Sequence, residues 1–503
     1  MLACIPSATL HGVDGRSVTV EVHTSAGLPS YSVVGLPDAA VRESRDRVRA
    51  ALLSSGLSWP GTRVTVNLAP GDVRKGGSGL DLPIGIGLLV ASGGLPPACV
   101  RDVGFVGELG LDGSVRPVPG IVSLVAALAT TTIVVPAATA PQAALVAGDR
   151  VRPATDLKSL TDALLGRGPW AAVARSSNDR APDPHALDLS EVRGQPVARR
   201  ALEVCAAGGH HLLLVGPPGS GKTMLAARLP GILPPLSHDE ALEVIRIHSA
   251  AGVAPADGPL PRRPPFRAPH HGATEVSLVG GGTASLRPGE ISLAHAGVLF
   301  LDEFGEFPVG ALDMLRQPIE EGVIRIRRAR AAVDLPARFL LVGAMNPCPC
   351  GEGTVPGSCR CTDAMRARYR RRLSGPLLDR FDLAIHLAPP EVDDLLGGRA
   401  GESSADVAPR VAFARLRAAT RGSRCNAQLA ASSLEELVPL TPEAAGLLER
   451  RLRSGTLSAR GLDRVRRVAR TIADLDSGGE LVEERHVAEA LQMRAARALL
   501  TIG

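Results

Sequence analysis

Residues 216–223 read Gly216-Pro217-Pro218-Gly219-Ser220-Gly221-Lys222-Thr223, after the apolar run Leu212–Val215 and before the helix-patterned Met224–Leu229. A strand, a glycine-rich loop and a helix in that order form a phosphate-binding loop. The glycines let backbone N–H groups face phosphates at the helix N-terminus, and the Thr223 hydroxyl is placed to ligate Mg²⁺. Lys222 carries a second message. Among 56 basic residues only Lys75, Lys158 and Lys222 are lysines. A slender ammonium reaches between β- and γ-phosphates, where a planar guanidinium fork does not fit. The sequence therefore predicts an α/β core that binds ATP or GTP.

At 503 residues, the chain has room for two to four domains, each with its own core. Aromatic residues make up only 2%, which argues against stacking platforms for single strands. A net charge of +5 is modest, so any nucleic-acid contact must come from local arginine clusters. Met1–Leu10 has neither a basic n-region nor a long apolar core, so a cytoplasmic location is expected. The uncharged stretch 117–148 could suggest a membrane span. Pro136, Pro141 and the β-branched Ile133-Val134-Val135 divide it into helix, strand and helix instead.

Four segments emerge. Residues 1–165 alternate strand and helix patterns: Ser17–His23 reads as a strand, Asp38–Ser54 as helix, Arg63–Leu68 as a strand. Residues 166–186 form a polar linker with Pro182 and Pro184. Residues 187–395 hold the nucleotide motifs. After the break Gly397–Ser404, residues 407–503 have helical period.

Val298–Leu301 is an apolar strand that ends in Asp302-Glu303, about 80 residues after the loop. In a phosphate-loop enzyme the first carboxylate holds Mg²⁺, and the second is placed to polarise the attacking water. Leu340–Met345 is another buried strand, ending in Asn346. That amide either orients the attacking water or starts the turn at Pro347. Cys348, Cys350, Cys359 and Cys361 form two close pairs suited to a tetrahedral Zn²⁺. A redox pair and unmetallated thiols are the alternatives. Cys4, Cys99, Cys205 and Cys425 read as small core residues. Residues 322–335 read as a hairpin with Arg325, Arg327, Arg328 and Arg330 toward its tip. Those arginines suit either DNA phosphates or a solvated, intersubunit edge. His270 and His271, lacking a third ligand, are assigned a structural role. Arg366–Arg372 reads as a solvated or intersubunit helix face.

With Ser374-Gly375-Pro376-Leu377-Leu378-Asp379-Arg380-Phe381-Asp382, these motifs resemble the AAA+ ATPases, in the branch of magnesium-chelatase motors and MCM helicases. The resemblance implies that Arg380 acts as an arginine finger on a neighbouring subunit's ATP. It also implies that Arg460, in Ser458-Ala459-Arg460, is the lid arginine that contacts the γ-phosphate, with a solvated helix face as the alternative. Asp188–Gln195 resembles the segment beside the adenine. The arginine hairpin and the segment His270–Ala296 resemble pore insertions. A trans finger implies a ring, expected to be a hexamer.

The whole chain resembles the ComM/YifB family of magnesium chelatase-like AAA+ proteins. That resemblance implies an ATP-dependent DNA motor, a helicase that drives branch migration of recombination intermediates. Its cofactors would be ATP, Mg²⁺ and a structural Zn²⁺, its partner branched or single-stranded DNA, with no membrane. A second reading is a chelatase-like remodelling ATPase with partner subunits, and a third is an ATP-dependent protease. The last rests on residues 1–165, whose Arg74–Ile84 and Gly107–Gly120 resemble the Lon protease domain (a ribosomal S5 domain 2-like α/β fold). That chemistry needs a serine and a lysine within reach. Here the two positions fall near Gly79 and Val122, and no lysine lies between 76 and 157. The expected role of this domain is a platform for DNA or a partner, and residues 407–503 are expected to be the helical lid.

Overall fold

Alternating polarity in the first segment produces long paired strands, as a sheet with one buried face requires. In the computed structural model, β1 (Leu2–His11) and β2 (Asp14–Ser25) pair antiparallel from Leu2↔His23 to His11↔Asp14. The structure describes residues 1–173, 187–254, 260–282, 286–328, 331–352, 359–372, 375–393, 397, 400–476 and 479–494. The strands β3 (Ser30–Val34) and β4 (Arg63–Ala69) complete a sheet of order β1-β2-β4-β3. Cys4 corrects one expectation: it lies on the outer face of β1 and is exposed, because Ala3 and Ile5 take the buried register.

The helix Asp81–Ala91 lies under this sheet with every residue buried. At Gly87 a Cβ would come within 2.6 Å of Val22, so the close approach of helix and sheet depends on that glycine. Beyond it, β5 (Val103–Phe105) is followed by the small pair β6 (Glu108–Leu109) and β7 (Val115–Arg116). β8 (Thr132–Pro136) and β9 (Val151–Ala154) join β5 in a parallel sheet of order β5-β8-β9. Segment 117–148 folds as its pattern predicts, into helix Ile121–Ala126, strand β8 and helix Ala140–Ala147. No helix among the described residues is long and apolar enough to cross a membrane.

The second unit is built on a five-stranded parallel sheet. Its strands are β10 (Leu212–Val215), β11 (Phe266–Arg267), β14 (Val298–Leu301), β17 (Leu340–Met345) and β18 (Leu383–His386), in the order β11-β14-β17-β10-β18. Between them lie two antiparallel pairs, β12 (Gly280–Gly281) with β13 (Arg287–Pro288), and β15 (Val323–Arg328) with β16 (Ala331–Pro336). The continuous apolar runs of β10, β14 and β17 are buried on both faces, as a helix-covered parallel sheet demands.

The C-terminal segment is helical, with Ser404–Thr420, Pro442–Arg453, Ala459–Leu475 and Glu484–Gln492 as its longer members. Its apolar faces share one core with the helix Pro196–Gly208 and β10. A buried carboxylate, Asp474, is surrounded by Arg417, Arg421, Arg470 and Asn426. Such a charge persists in a core only when paired this fully. The N-terminal unit packs against the second one, as two contacts illustrate. Gly120 donates its N–H to Ser249 O (2.8 Å), and the β1–β2 turn packs Val13 against the hairpin residues Val333 and Leu335.

Candidate nucleotide site

In a parallel sheet every strand delivers its C-terminal residues to the same edge. Val215 of β10 is level with Met345 of β17, and Gly343 of β17 with Leu301 of β14. The chain therefore leaves three neighbouring strands at one edge, carrying the loop Gly216–Thr223, Asp302-Glu303 and Asn346. Gly219 (φ 78°) and Gly221 (φ 85°) supply the left-handed turns that curl the loop onto the helix Lys222–Arg228. Ser220 Oγ donates to Pro217 O (2.8 Å) and stiffens the curl.

The side chains converge. Lys222 Nζ donates to the carbonyls of Gly216 (2.7 Å) and Pro217 (2.8 Å) and lies 3.3 Å from Asn346 Oδ1. Burial holds its pKa below the usual lysine range, and Asp302 acts in the opposite direction. Thr223 Oγ1 donates to Asp302 Oδ2 (2.7 Å), so a hydroxyl and a carboxylate meet at one point. Two such oxygen donors suit Mg²⁺, which takes few protein ligands and keeps several waters. Glu303 has a left-handed backbone (φ 51°), and its N–H donates to Asp302 Oδ1 (2.9 Å). The segment Asp188–Gln195 packs nearby: Arg228, from the loop's helix, donates to Asp188 O (2.8 Å) and pairs with Glu191.

His271 was not foreseen as part of this group. Its Nδ1 lies 2.7 Å from Glu303 Oε2. The sequence held one usable signal. His271 follows β11, which runs parallel to β14, so both chains emerge at the same edge.

The cysteines adjoin the loop. Cys348, Cys350, Cys359 and Cys361 place their sulfurs within 4.8 Å of one another, with Cys348–Cys350 at 3.3 Å and Cys348–Cys359 at 3.7 Å. Thiolates at about 2.3 Å from a tetrahedral ion would stand about 3.8 Å apart, so the donor set fits a metal ion. Burial pushes the Cys348 thiol up to about 12, whereas backbone hydrogen bonding from Glu352 brings Cys350 down to about 6. Gly351 sits against the phosphate loop, where a Cβ would meet Pro218 at 2.6 Å. Tyr369, from the helix Asp363–Arg372, donates its hydroxyl to Asn346 O (3.2 Å). Arg366 on that helix donates to Cys359 Sγ (3.4 Å), so at least one residue of the basic run faces the cluster, not solvent.

Arg380 and Arg460 lie elsewhere. Arg380 precedes β18, whose first residue Leu383 is level with Leu212, the first residue of β10. It therefore stands at the sheet edge opposite the phosphate loop, separated by the length of a four-residue strand, about 13 Å. There Arg380 pairs with Glu320, and the two line one concavity with Asp379, Ser458, Arg460 and Arg464. None of Gly216–Thr223 lines it. Asp382 fixes this region: it accepts from Arg464 (3.0 Å) and lies 3.4 Å from His210 Nδ1, while His210 Nε2 meets Thr471 Oγ1 (2.8 Å). Burial alone would raise the Asp382 carboxyl, but the hydrogen bond from His210 and the charge of Arg464 hold it well below the usual range. In the hairpin, Ile324 and Ile326 face the core while Arg325 pairs with Glu321 and Arg327 with Asp334 (2.6 Å). The Arg328 side chain and Arg330 fall outside the described residues.

Three family models match the chain. They are magnesium chelatase subunit ChlI over residues 188–395, subunit ChlI of Mg-chelatase over 20–139, and the ChlI C-terminal region over 401–494. An uncharacterized protein of Mycobacterium tuberculosis (strain H37Rv) is 46% identical over 478 residues, covering 93% of this chain and 94% of its own. The uncharacterized protein YifB of Salmonella typhimurium is 43% identical over 503 residues, covering 99% and 98%. The competence protein ComM of Haemophilus influenzae is 43% identical over 506 residues, with the same coverage.

Proposed function

This chain belongs to the ComM/YifB family with its magnesium chelatase-like AAA+ fold, and we propose that it is an ATP-hydrolysing ring motor that translocates on DNA. The observation that carries the reading is the division of charge between the two edges of one sheet. Lys222, Thr223, Asp302, Glu303 and Asn346 gather at one edge, Arg380 and Arg460 at the other. An arginine finger stabilises phosphoryl-transfer charge only when it reaches the γ-phosphate. Arg380 cannot reach its own loop, so it serves the loop of a neighbour. Arg460 shares its concavity and serves the same neighbour. Head-to-tail contact of this kind closes into a ring, here read as a hexamer.

Within such a shared site, the backbone N–H groups of the loop and Lys222 would bind the β- and γ-phosphates. Thr223 and Asp302 would hold Mg²⁺, which supplies charge neutralisation on the phosphates when bound. Glu303 would accept the proton of the attacking water, and Asn346 would orient that water. The four thiolates would hold Zn²⁺ as a structural ion, stiffening the stretch between Asn346 and Arg380 and backing the phosphate loop through Gly351.

DNA as the track is supported by the exposed arginine face of β15–β16 and by the ComM relative, whose name ties it to competence. Branch migration of recombination intermediates is the specific activity proposed. Chelatase-like remodelling with partner subunits is the alternative, favoured by the matched family models. A strand-displacement and branch-migration assay on forked and four-way DNA, with Glu303→Gln as control, separates them. Turnover stimulated by branched DNA supports the motor. An ATPase rate indifferent to every DNA tested sinks it.

A further inference from the structure

Asp382 stands directly before the edge strand β18, where pairing needs no charge, and its side chain is only 13% exposed. A carboxylate so far out of water persists only when it is paired. Its two oxygens go to different parts of the chain. Oδ1 accepts from Arg464 (3.0 Å), and Oδ2 lies 3.4 Å from His210 Nδ1. The Asp382 carbonyl accepts from Arg494 (3.1 Å) and its N–H donates to His211 O (3.0 Å), so backbone and side chain are both fixed.

Arg464 and Thr471 belong to one helix, Ala459–Leu475. Thr471 lies two turns beyond Arg464, about 10 Å along the axis, and returns to the same face. There its hydroxyl meets His210 Nε2 (2.8 Å) and accepts from Asn426 (3.1 Å). His210 is fully buried, and Gly208 leaves it room: a Cβ there would meet His210 at 2.1 Å and Thr471 Oγ1 at 2.5 Å. Two attachments that far apart settle where the helix lies and how it is turned about its axis.

These links bear on two arginines outside them. Arg380 stands two residues before Asp382, and the intervening Phe381 is buried against Phe304 (ring centroids 5.5 Å), so the link between them has little slack. Arg460 lies one turn before Arg464, on the same face of its helix. Both arginines line the concavity at this edge. We propose that Asp382 is a positioning residue which, braced by His210, holds Arg380 and Arg460 as one rigid donor unit, so that a neighbour's γ-phosphate meets both at once. This rests on the reading of a nucleotide site shared between subunits.

The test measures kcat and KM for ATP in the full chain, first alone and then in equimolar mixtures after subunit exchange. Asp382→Asn keeps the shape of the side chain and loses its charge. Its kcat should fall about 10²-fold with KM nearly unchanged, the cost of displacing a catalytic group by about 1 Å. Thr471→Val removes only the brace and should lose about tenfold, whereas Thr471→Ser, which keeps the hydroxyl, should turn over at the parent rate. Mixed with Lys222→Ala, Asp382→Asn should recover about a quarter of the parent rate, because its own loop then meets an intact donor at that share of interfaces. Mixed with Arg380→Ala it should recover nothing, since both chains lack a working donor edge. A parent-like kcat in Asp382→Asn, recovery with Arg380→Ala, or no recovery in either mixture overturns the proposal; the last would mark a chain damaged beyond its donor edge. Failure of the underlying reading looks different: Lys222→Ala and Arg380→Ala would then fail to complement each other, and the proposal would fall with the shared site.

Discussion

The two edges of the central sheet share their strands but not their state of completion. At the phosphate-loop edge, the side chains are already paired among themselves, Lys222 with Asn346, Thr223 with Asp302, and Glu303 with His271. At the opposite edge, Arg380 pairs with Glu320, a carboxylate that no ATP chemistry requires. A surface ion pair of this kind contributes about 0–1 kcal/mol and yields readily to a phosphate. On the proposed function, one edge is a site awaiting a substrate and the other a donor awaiting a neighbour, so that a single chain holds half of each of two sites.

The largest effect that could erase this difference lies at Arg380. Arg380→Ala should lower kcat by about 10³-fold or more, the range of trans arginine fingers, while ATP affinity stays near that of the parent. An equal loss in binding would mean that Arg380 serves its own loop after all. Glu303→Gln should cost about 10²- to 10⁴-fold in kcat and retain nucleotide, as read by binding of a fluorescent ATP analogue. A weaker effect is expected at the hairpin. Changing Arg325 and Arg327 together to alanine should reduce the slope of log affinity against log salt by about two, because each phosphate contact contributes about 0.9. An unchanged slope would assign those arginines to Glu321 and Asp334 alone. The smallest effect concerns the cysteines. Chelation, or Cys350→Ser with Cys359→Ser, should lower the thermal midpoint by a few degrees and release about one Zn²⁺ per chain, measurable by a colorimetric chelator. Unaltered stability and no released metal would leave four thiols in place of a metal site.

The phosphate-loop edge was the more legible one. A loop with fixed glycine and lysine positions, and two apolar strands ending in polar residues, state their geometry locally, so Lys222, Asp302 and Asn346 could be brought together from sequence. The helix–strand–helix division of residues 117–148 was legible for the same reason, since prolines and β-branched residues act within a few positions. His271 was not legible as a partner of Glu303, because the contact depends on β11 lying beside β14, a property of strand order. Placing Arg460 beside Arg380 required knowing how the helix Ala459–Leu475 docks through Thr471, His210 and Asp382. The exposure of Cys4 turned on register: one residue along β1 exchanges the buried face for the outer one. Charge on the hairpin was visible, but not that Glu321 and Asp334 would already accept two of its arginines.

A motor of this kind requires that one chain complete another's site. Lys222→Ala and Arg380→Ala should each be inactive alone, and the decisive measurement is the ATPase rate of an equimolar mixture after the subunits have exchanged. Random assembly would set an intact loop against an intact Arg380 at about a quarter of the interfaces, and a comparable fraction of parent activity should return. A mixture as inactive as its components, with exchange verified, would contradict the shared site.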